Sequence, residues 1–394
     1  MMLTVAYTVF FTSLLGIATV FVIYPASLFI RSALGKGATG RSVPAGEASP
    51  GMAITCVVIA RNAEQLIEKK IRNCLSLDYP EHLTRFVFYS DASTDRTAEI
   101  MRTYASDPRV LVEVDDTHKG KLEALNWAVA HCSGDLVLFT DADAMLESSA
   151  LRKLARHFLD PAVGGVCGKR VIGENLESMQ ASQASFIRFS TSIQQMESAI
   201  SSVTANDGKI YLIRESLFVP IVDSVTDDMY VCLSIISQGY RFLYEPDARA
   251  LIQVPSRSFR HEVIRRRRIV APSLRCIFMH RHLLNPLQHG SYAVGLFINK
   301  VLRRFLPFML LLLYISNALL LGHWPMAIFF TLQSAFYLTA VLYLLPGKKR
   351  LLPRAIDRIM STVAYFCVGN YGVGLGVIDF LRDKRISRWD PVKH

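Results

Sequence analysis

The stretch "LVLFTDADAM" (136–145) sets two aspartates, one residue apart, at the end of an apolar run. Its first five residues have the character of a strand buried on both faces. Carboxylates at such a place need a reason, because desolvating an unpaired charge is costly. Residues i and i+2 of an extended chain point the same way, so Asp141 and Asp143 can face one site. A hard divalent ion, Mg²⁺ or Mn²⁺, takes one or two carboxylates together with phosphate oxygens. The alternative is a pair of loop aspartates that cap the next helix, and a bare D-x-D does not choose between them.

Outward from this stretch, residues 52–285 alternate short apolar runs with helical patterns, which predicts an α/β sheet. Strands are expected at 53–60, 85–90, 110–114, 135–140 and 163–168, and helices at 63–75, 95–105, 119–132 and 148–158. Ligands of open α/β sheets bind beyond the carboxyl ends of the strands, where Asp141, Asp143 and Asp91 of "YSDASTD" all fall. Ser93 and Thr94 after Asp91 suit a helix cap. In "HKGKLEALN" (118–126) two lysines flank a glycine at a helix start, where cations oppose the helix dipole. A bound phosphate would remove that objection, and solvated lysines are the other reading. His118 reads as a solvated loop residue. Asp227 and Asp228 open a helix that stops at Gly239, and suit either capping or a general base. Gly208 in "ANDGK" (205–209) permits close backbone approach or a plain turn. In 176–202, the spacing of Phe186, Phe189, Ile193 and Met196 predicts a helical packing face.

Hydrophobic residues make up 51% of the 394 and charged residues 20%, a balance that leans toward a membrane, while the net charge is +11. That charge suits an anionic ligand, a nucleic acid or an anionic membrane surface. The seven cysteines are scattered without a C-x-x-C, against a disulfide framework or zinc ribbon and for a reduced, cytosol-facing domain. Residues 3–30 carry no charge and exceed the roughly 20 needed to cross a bilayer. With no basic stretch before them they read as an anchor, and Arg31, Lys36 and Arg41 after them place the succeeding polar region in the cytoplasm. Further spans are expected at 305–321 and 326–345, flanked by Arg303, Arg304, Lys348, Lys349 and Arg350. A third apolar stretch, 359–380, carries Gly369, Gly372, Gly374 and Gly376, which permit a broken path or tight packing on another helix. The expected order is an anchor (1–31), a linker (32–51), a cytoplasmic domain (52–257), basic interfacial helices (258–304), a membrane region (305–381) and a basic tail (382–394). Because the basic residues gather at membrane borders, the positive-inside rule accounts for them without a nucleic acid. A small-solute transporter would need more spans.

Together "VVIARNAE" (57–64), "SDASTD" (90–95), "KGKLEALN" (119–126), "TDADA" (140–144), "ANDGKIYLIR" (205–214) and "TDD…GYRFLYEPDA" (226–228 and 239–248) resemble the membrane-anchored family 2 glycosyltransferases. That superfamily includes cellulose, chitin, hyaluronan and poly-N-acetylglucosamine synthases. The resemblance implies a GT-A fold, a Rossmann-like nucleotide-diphospho-sugar transferase domain with flanking transmembrane helices. It further implies an inverting, Mg²⁺- or Mn²⁺-dependent transfer from a nucleotide-diphospho-sugar, with a UDP-sugar favoured. The acceptor would be a lipid or saccharide at the inner face of a bacterial plasma membrane, with anionic lipids as partners. By motif position Asp91 would contact the nucleoside, Glu64 the base or ribose, and Lys121 the nucleotide. Asp141 would join the ribose or metal shell and Asp143 the metal. Asp228 would be the base, with Asp227 standing where the family's T-E-D motif has Glu; Asn206, Asp207 and Gly208 would shape the acceptor side. Where processive relatives carry Q-x-x-R-W, "RRRRI" (265–269) keeps Arg268 but has Arg265 for Gln and Ile269 for Trp. A flat sugar-binding indole is lost. The added guanidiniums favour phosphate or carboxylate, or an anionic lipid contact of about 1 kcal/mol per residue. A processive exopolysaccharide synthase is therefore the secondary expectation, and an inactive membrane scaffold that keeps the fold a third.

Overall fold

Strand alternation sorts the apolar residues of the central sheet into two cores. In the computed structural model, residues 1–34, 51–173, 178–222, 224–252, 258–345 and 353–383 are described. Expectations on Lys36, Arg41, most of the linker, Lys348, Lys349, Arg350 and the tail past residue 383 lie outside them. Strands β1 (Ile54–Ala60), β2 (Thr84–Asp91), β3 (Val110–Asp115) and β4 (Leu136–Thr140) are parallel, in spatial order 3-2-1-4. Val57, Ile59, Val137 and Phe139 face one core, and Cys56, Val58, Leu136 and Leu138 the other. A strand covered on both faces reads as an apolar run, which is why β1, β2 and β4 were visible in the sequence, while the edge strand β3 buries only Val110 and shows through its β-branched residues.

Beyond β4 the sheet turns mixed. It continues through β7 (Ile210–Arg214), β6 (Val163–Ile172), β8 (Arg241–Ile252) and the short β5 (Ala144–Leu146). β7 runs antiparallel to β4 and β6, and β8 lies parallel to β6. Helices α3 (Glu64–Leu75), α4 (Thr97–Arg102) and α6 (Ala150–Ala155) cover one face of the sheet, and α5 (Lys121–Ala130) and α8 (Asp227–Ser237) the other. The expected helix at 95–105 is shorter: it starts at Thr97, whose N–H and hydroxyl donate to Asp95 Oδ1, and ends at Arg102. All seven cysteines are free thiols.

Among the described residues, three helices are long and apolar enough to cross a membrane. The first joins α1 (Met2–Ala18) and α2 (Tyr24–Ala33) through a π-helical turn at Thr19–Ile23. Pro25 near the start of α2 has no N–H to give the preceding turn, and the altered hydrogen bonding falls there. The others are α12 (Trp324–Leu344) and α13 (Arg354–Leu381). The span expected at 305–321 is instead α11 (Leu306–Ala318), 13 residues with Pro307 second and a turn at the end. At 1.5 Å per residue that is about 20 Å, short of a hydrocarbon core of roughly 30 Å. α11 packs against α1 through Ala6, Phe10 and Leu313.

The helix α13 is unbroken, so its glycines serve packing. Long helix α7 (Ser178–Ile200) and α9 (Phe259–Met279) lie against it, and α10 (Pro286–Leu296) comes next after α9 in the chain. A Cβ on Gly372 would meet Arg266 Cβ at 2.9 Å, and one on Gly376 would meet Val270 Cβ at 2.7 Å, both on α9. The basic run on α9 is largely consumed at this seam. Glu262 accepts from Arg265 (3.0 Å) and Arg266, and also from the Tyr365 hydroxyl (3.0 Å), while Arg267 pairs with Asp379. Helix pairing is thus a third role for these guanidiniums, beside phosphate and lipid contact. Replacing Gly376 by Leu should destabilise the purified protein by about 1–3 kcal/mol through overpacking. Gly369→Ala, where a Cβ meets nothing within 4 Å, should leave the thermal midpoint in detergent unchanged. Equal midpoints for the two variants would show that the seam is not close-packed.

Candidate active site

The neighbours of β1 run in opposite sequence directions, β2 on one side and β4 on the other, which opens a crevice at the strands' carboxyl ends. Val57 and Ile59 of β1, Phe139 of β4 and Tyr211 of β7 floor this crevice, and Lys121, Asp141, Gly208 and Asp227 line it. Tyr211 is held by stacking on Phe139, with ring centroids 4.8 Å apart.

Two ammonium groups organise the acids. Lys121 Nζ lies 3.0 Å from Asp141 Oδ1 and 2.8 Å from Asp227 Oδ2, so it ties the end of β4 to the start of α8. Lys209 Nζ lies 2.7 Å from Asp143 Oδ1 and 3.0 Å from Asp141 Oδ2. Burial alone would raise the Asp141 carboxyl, but the Lys121 and Lys209 charges outweigh it and hold that group well below the usual range. Burial likewise works against the Lys121 charge and is overcome by Asp141 and Asp227, which hold this ammonium above its ordinary value. Lys119 pairs with Asp115 at 2.8 Å. Neither lysine flanking Gly120 is therefore simply solvated: acids compensate both.

Asp228 is placed differently from Asp227. Its Oδ1 accepts the N–H of Met229 at 2.7 Å, and no ammonium or guanidinium pairs with it among the described residues. Burial, then the neighbouring charge of Asp227, raises its carboxyl to about 7. Gly208 backs it closely: a Cβ there would come within 3.1 Å of Asp228 Oδ2. Asp207 is bound to Arg170 at 3.3 Å. Asn206 is buried, and neither end of its amide has a partner among the described residues.

The loops after β1 and β2 clasp one another. Asn62 Oδ1 accepts from the Thr94 N–H, Asp95 from the Glu64 N–H and Glu64 from the Arg96 N–H. Glu64 is exposed at this rim. Asp91 is 1% exposed, and its carboxylate accepts from the N–H groups of Lys119 (2.9 Å) and Gly120 (3.1 Å). His118 Nδ1 lies 2.7 Å from Asp91 Oδ2, so His118 is a packed member of the site rather than a solvated loop residue. The observed work of Asp91 is to hold the turn that aims Lys121. Arg268, half-buried on α9, is shifted down by burial and then by Arg265, and it makes no ion pair among the described residues.

Lys209, Lys70 and His118 escaped the reading of the sequence. Lys209 comes directly after the quoted glycine turn, but its closeness to Asp143, 66 positions earlier, cannot be seen along the chain. Lys70 is fully buried, and its ammonium donates to Thr140 Oγ1 (2.9 Å) and to the Ala144 carbonyl, bracing both ends of the D-A-D turn. Its one sequence signal is a lysine on the apolar side of α3, beside Ile67 and Ile71.

Mg²⁺ or Mn²⁺ fits the donor set. Asp141 and Asp143 converge on a single cation-sized position, marked by the Lys209 ammonium, and both offer hard oxygens. No cluster of three or more His, Cys, Asp or Glu side chains suited to a metal occurs among the described residues. Phosphate oxygens and water would complete the shell, as is usual for Mg²⁺.

Residues 55–217 match the family model of glycosyl transferase family 2. The poly-beta-1,6-N-acetyl-D-glucosamine synthase of Staphylococcus aureus is 26% identical over 209 residues, covering 51% of this chain and 50% of that protein. An N-acetylglucosaminyltransferase of Azorhizobium caulinodans is 25% identical over 224 residues, covering 52% of this chain and 56% of that protein. The chain thus spans about half the length of the curated relatives it matches. Among solved structures, the mannosyltransferase PcManGT of Pyrobaculum calidifontis, in complex with GDP-Man and Mn²⁺, superposes with a TM-score of 0.69 at 19% identity. That superposition covers 98% of this chain and 100% of the other, so the two share a fold. Residues 55–217 are a glycosyl transferase family 2 domain, built on a GT-A fold and flanked by apolar helices.

Proposed function

We propose that the chain transfers a sugar, with inversion, from a nucleotide-diphospho-sugar to a lipid or saccharide acceptor at the inner face of a plasma membrane. The observation that carries this reading is the different placement of two adjacent acids. Asp227 is bound to Lys121, whereas Asp228 has no ion pair among the described residues and is raised to about 7, where a carboxylate is a competent base near neutral pH. In the single displacement, the acceptor oxygen forms a bond to the anomeric carbon while the bond from that carbon to the diphosphate breaks. The hydroxyl proton passes to Asp228. Asp141 and Asp143 would hold Mg²⁺ or Mn²⁺, which when bound neutralises charge on the diphosphate. Lys121 supplies a fixed positive charge on the same side, and Glu64 stands at the rim where a base or ribose would lie. UDP is the favoured nucleotide by the resemblance to the family 2 synthases. The cytoplasmic placement of the domain is argued from Arg31 in the last turn of the first apolar helix. Single addition is favoured over processive synthesis, because Arg265 is spent on Glu262 and the exposed Ile269 offers no indole.

Asp228→Asn should keep nucleotide-sugar affinity while lowering turnover by about 10²–10⁴-fold, the usual scale for a lost general base. Near-normal turnover would remove Asp228 from the role. A raised carboxyl is protonated below its pKa and cannot accept, so kcat/KM should rise through about pH 7 and level off above it. A flat profile between pH 5 and 9 would contradict the assignment.

Asp143→Ala should abolish the gain in nucleotide affinity produced by Mn²⁺, measured by titration calorimetry with and without the ion. An unchanged gain would place the ion elsewhere. Gly208→Ala should fold normally yet slow turnover, since the new methyl presses on the Asp228 carboxylate. Wild-type rates would show that this contact is slack.

A further inference from the structure

Arg303 and Arg304 look in sequence like border cations that only set topology, yet both side chains are half-buried. Arg303 lies over the rings of Phe186 (5.0 Å) and Phe189 (5.6 Å), donates to Asn299 Oδ1, and leaves Nη2 buried without a partner. Arg304 donates to two neutral oxygens, the Lys300 carbonyl and the Ser273 hydroxyl. Lys300 makes no ion pair among the described residues, although Glu197 is near enough for its charge to act on it. That acid is taken up by neutral donors on Tyr24, Thr204 and Asn299. Burial first, then the charges of Arg266 and Arg304, holds Arg303 down to about 10, and burial holds Arg304 down to about 10. Glu197 also acts on Arg303 from a distance, but none of the three cations makes an ion pair among the described residues, and cations gathered this way are unfavourable unless an anion joins them.

We propose that Lys300, Arg303 and Arg304 hold the phosphate of an anionic lipid acceptor and so present its hydroxyl to Asp228. The position supports this. Arg304 is near enough to Asp228 for their charges to interact. It bonds Ser273, one turn of α9 before Cys276, whose sulfur lies 3.6 Å from the carbonyl oxygen of Thr226, the cap of the helix that carries Asp228. On the other side the cations run directly into α11, and Phe189 packs on Phe21 of the first apolar helix. An anion seated here has apolar helices beside it, which suits a phosphate that carries an acyl or prenyl tail. The donor's diphosphate belongs with Lys121 and Asp141 at the strand ends, so the two anions would approach the reacting centre from different elements. The identity of the reacting hydroxyl rests on the glycosyl-transfer reading, whereas the anion pocket does not.

The test uses the full chain in detergent, with dihexanoyl phosphatidylinositol as probe, inorganic phosphate as the tail-less control and dioctanoylglycerol as the uncharged one. Arg303→Gln and Arg304→Gln should each weaken phosphatidylinositol binding by about tenfold or more and leave UDP-sugar affinity within about twofold. Arg303→Lys should bind nearly as the wild type does. Inorganic phosphate and dioctanoylglycerol should both bind much more weakly than the phospholipid. Should the glutamine variants fail to fold, wild-type affinity for the phospholipid should still fall with rising salt while that for dioctanoylglycerol does not. Unchanged phospholipid affinity in the variants, equal binding of the uncharged lipid, tighter binding of free phosphate, salt-independent binding, or loss of UDP-sugar affinity instead would each overturn the proposal. Phospholipid binding that depends on these arginines, with no nucleotide sugar bound, would uphold the pocket and sink the transferase reading.

Discussion

The Lys121 ammonium, shared between Asp141 at the end of β4 and Asp227 at the start of α8, is the contact on which the site depends. Three chain segments far apart in sequence bring these groups together, and none of the acids would be stable so close without the cation between them. Removing one partner of a buried ion pair typically costs about 3–5 kcal/mol, because the remaining charge is left uncompensated. The same contact divides the labour of the acidic pair. Asp227 is fixed by it, while Asp228 has no ion pair among the described residues and its carboxyl is raised toward neutrality.

Everything around Lys121 serves its placement. Asp91 and His118 hold the turn before it, and Lys70 braces the turn that carries Asp141 and Asp143. Lys209 answers the second half of that acidic turn. Each brace uses a buried polar group, and such groups persist only when their partners are in place. The helices outside the sheet are tied to this centre by a charged seam as well. Glu262, Arg265, Arg266, Tyr365, Arg267 and Asp379 knit α9 to α13, so a helix long enough to span a bilayer is held against the helix that backs α8.

Local patterns were legible along the chain, and partnerships were not. The parallel strands showed because burial on both faces leaves a continuous apolar run, as in Ile54–Ala60 and Leu136–Thr140. Asp141 and Asp143 showed because carboxylates at the end of a buried strand carry a cost, and Asp227 and Asp228 because an acidic pair opens the helix that stops at Gly239. β8 escaped because its 12 residues mix Pro246, Asp247 and Arg249 into the apolar pattern, and β5 because it is only three residues long. α11 was overestimated because hydropathy does not register the turn that ends it. Lys209 and His118 were passed over because a lysine or histidine in a loop looks solvated until the fold supplies its carboxylate. In the arginine run, the partner of Arg267 on α13 lies 112 positions away and is invisible along the chain, whereas Glu262, three and four positions before Arg265 and Arg266, was within reach of helical spacing.

If Asp228 takes the proton in a single displacement, the stereochemistry at the transferred sugar must invert. Proton NMR of the first product formed by purified protein from an α-linked nucleotide sugar reads this directly, through the anomeric coupling constant. The account predicts a β-linked product from the earliest time point. An α-linked product would contradict it, since retention requires a different mechanism from attack opposite the departing diphosphate.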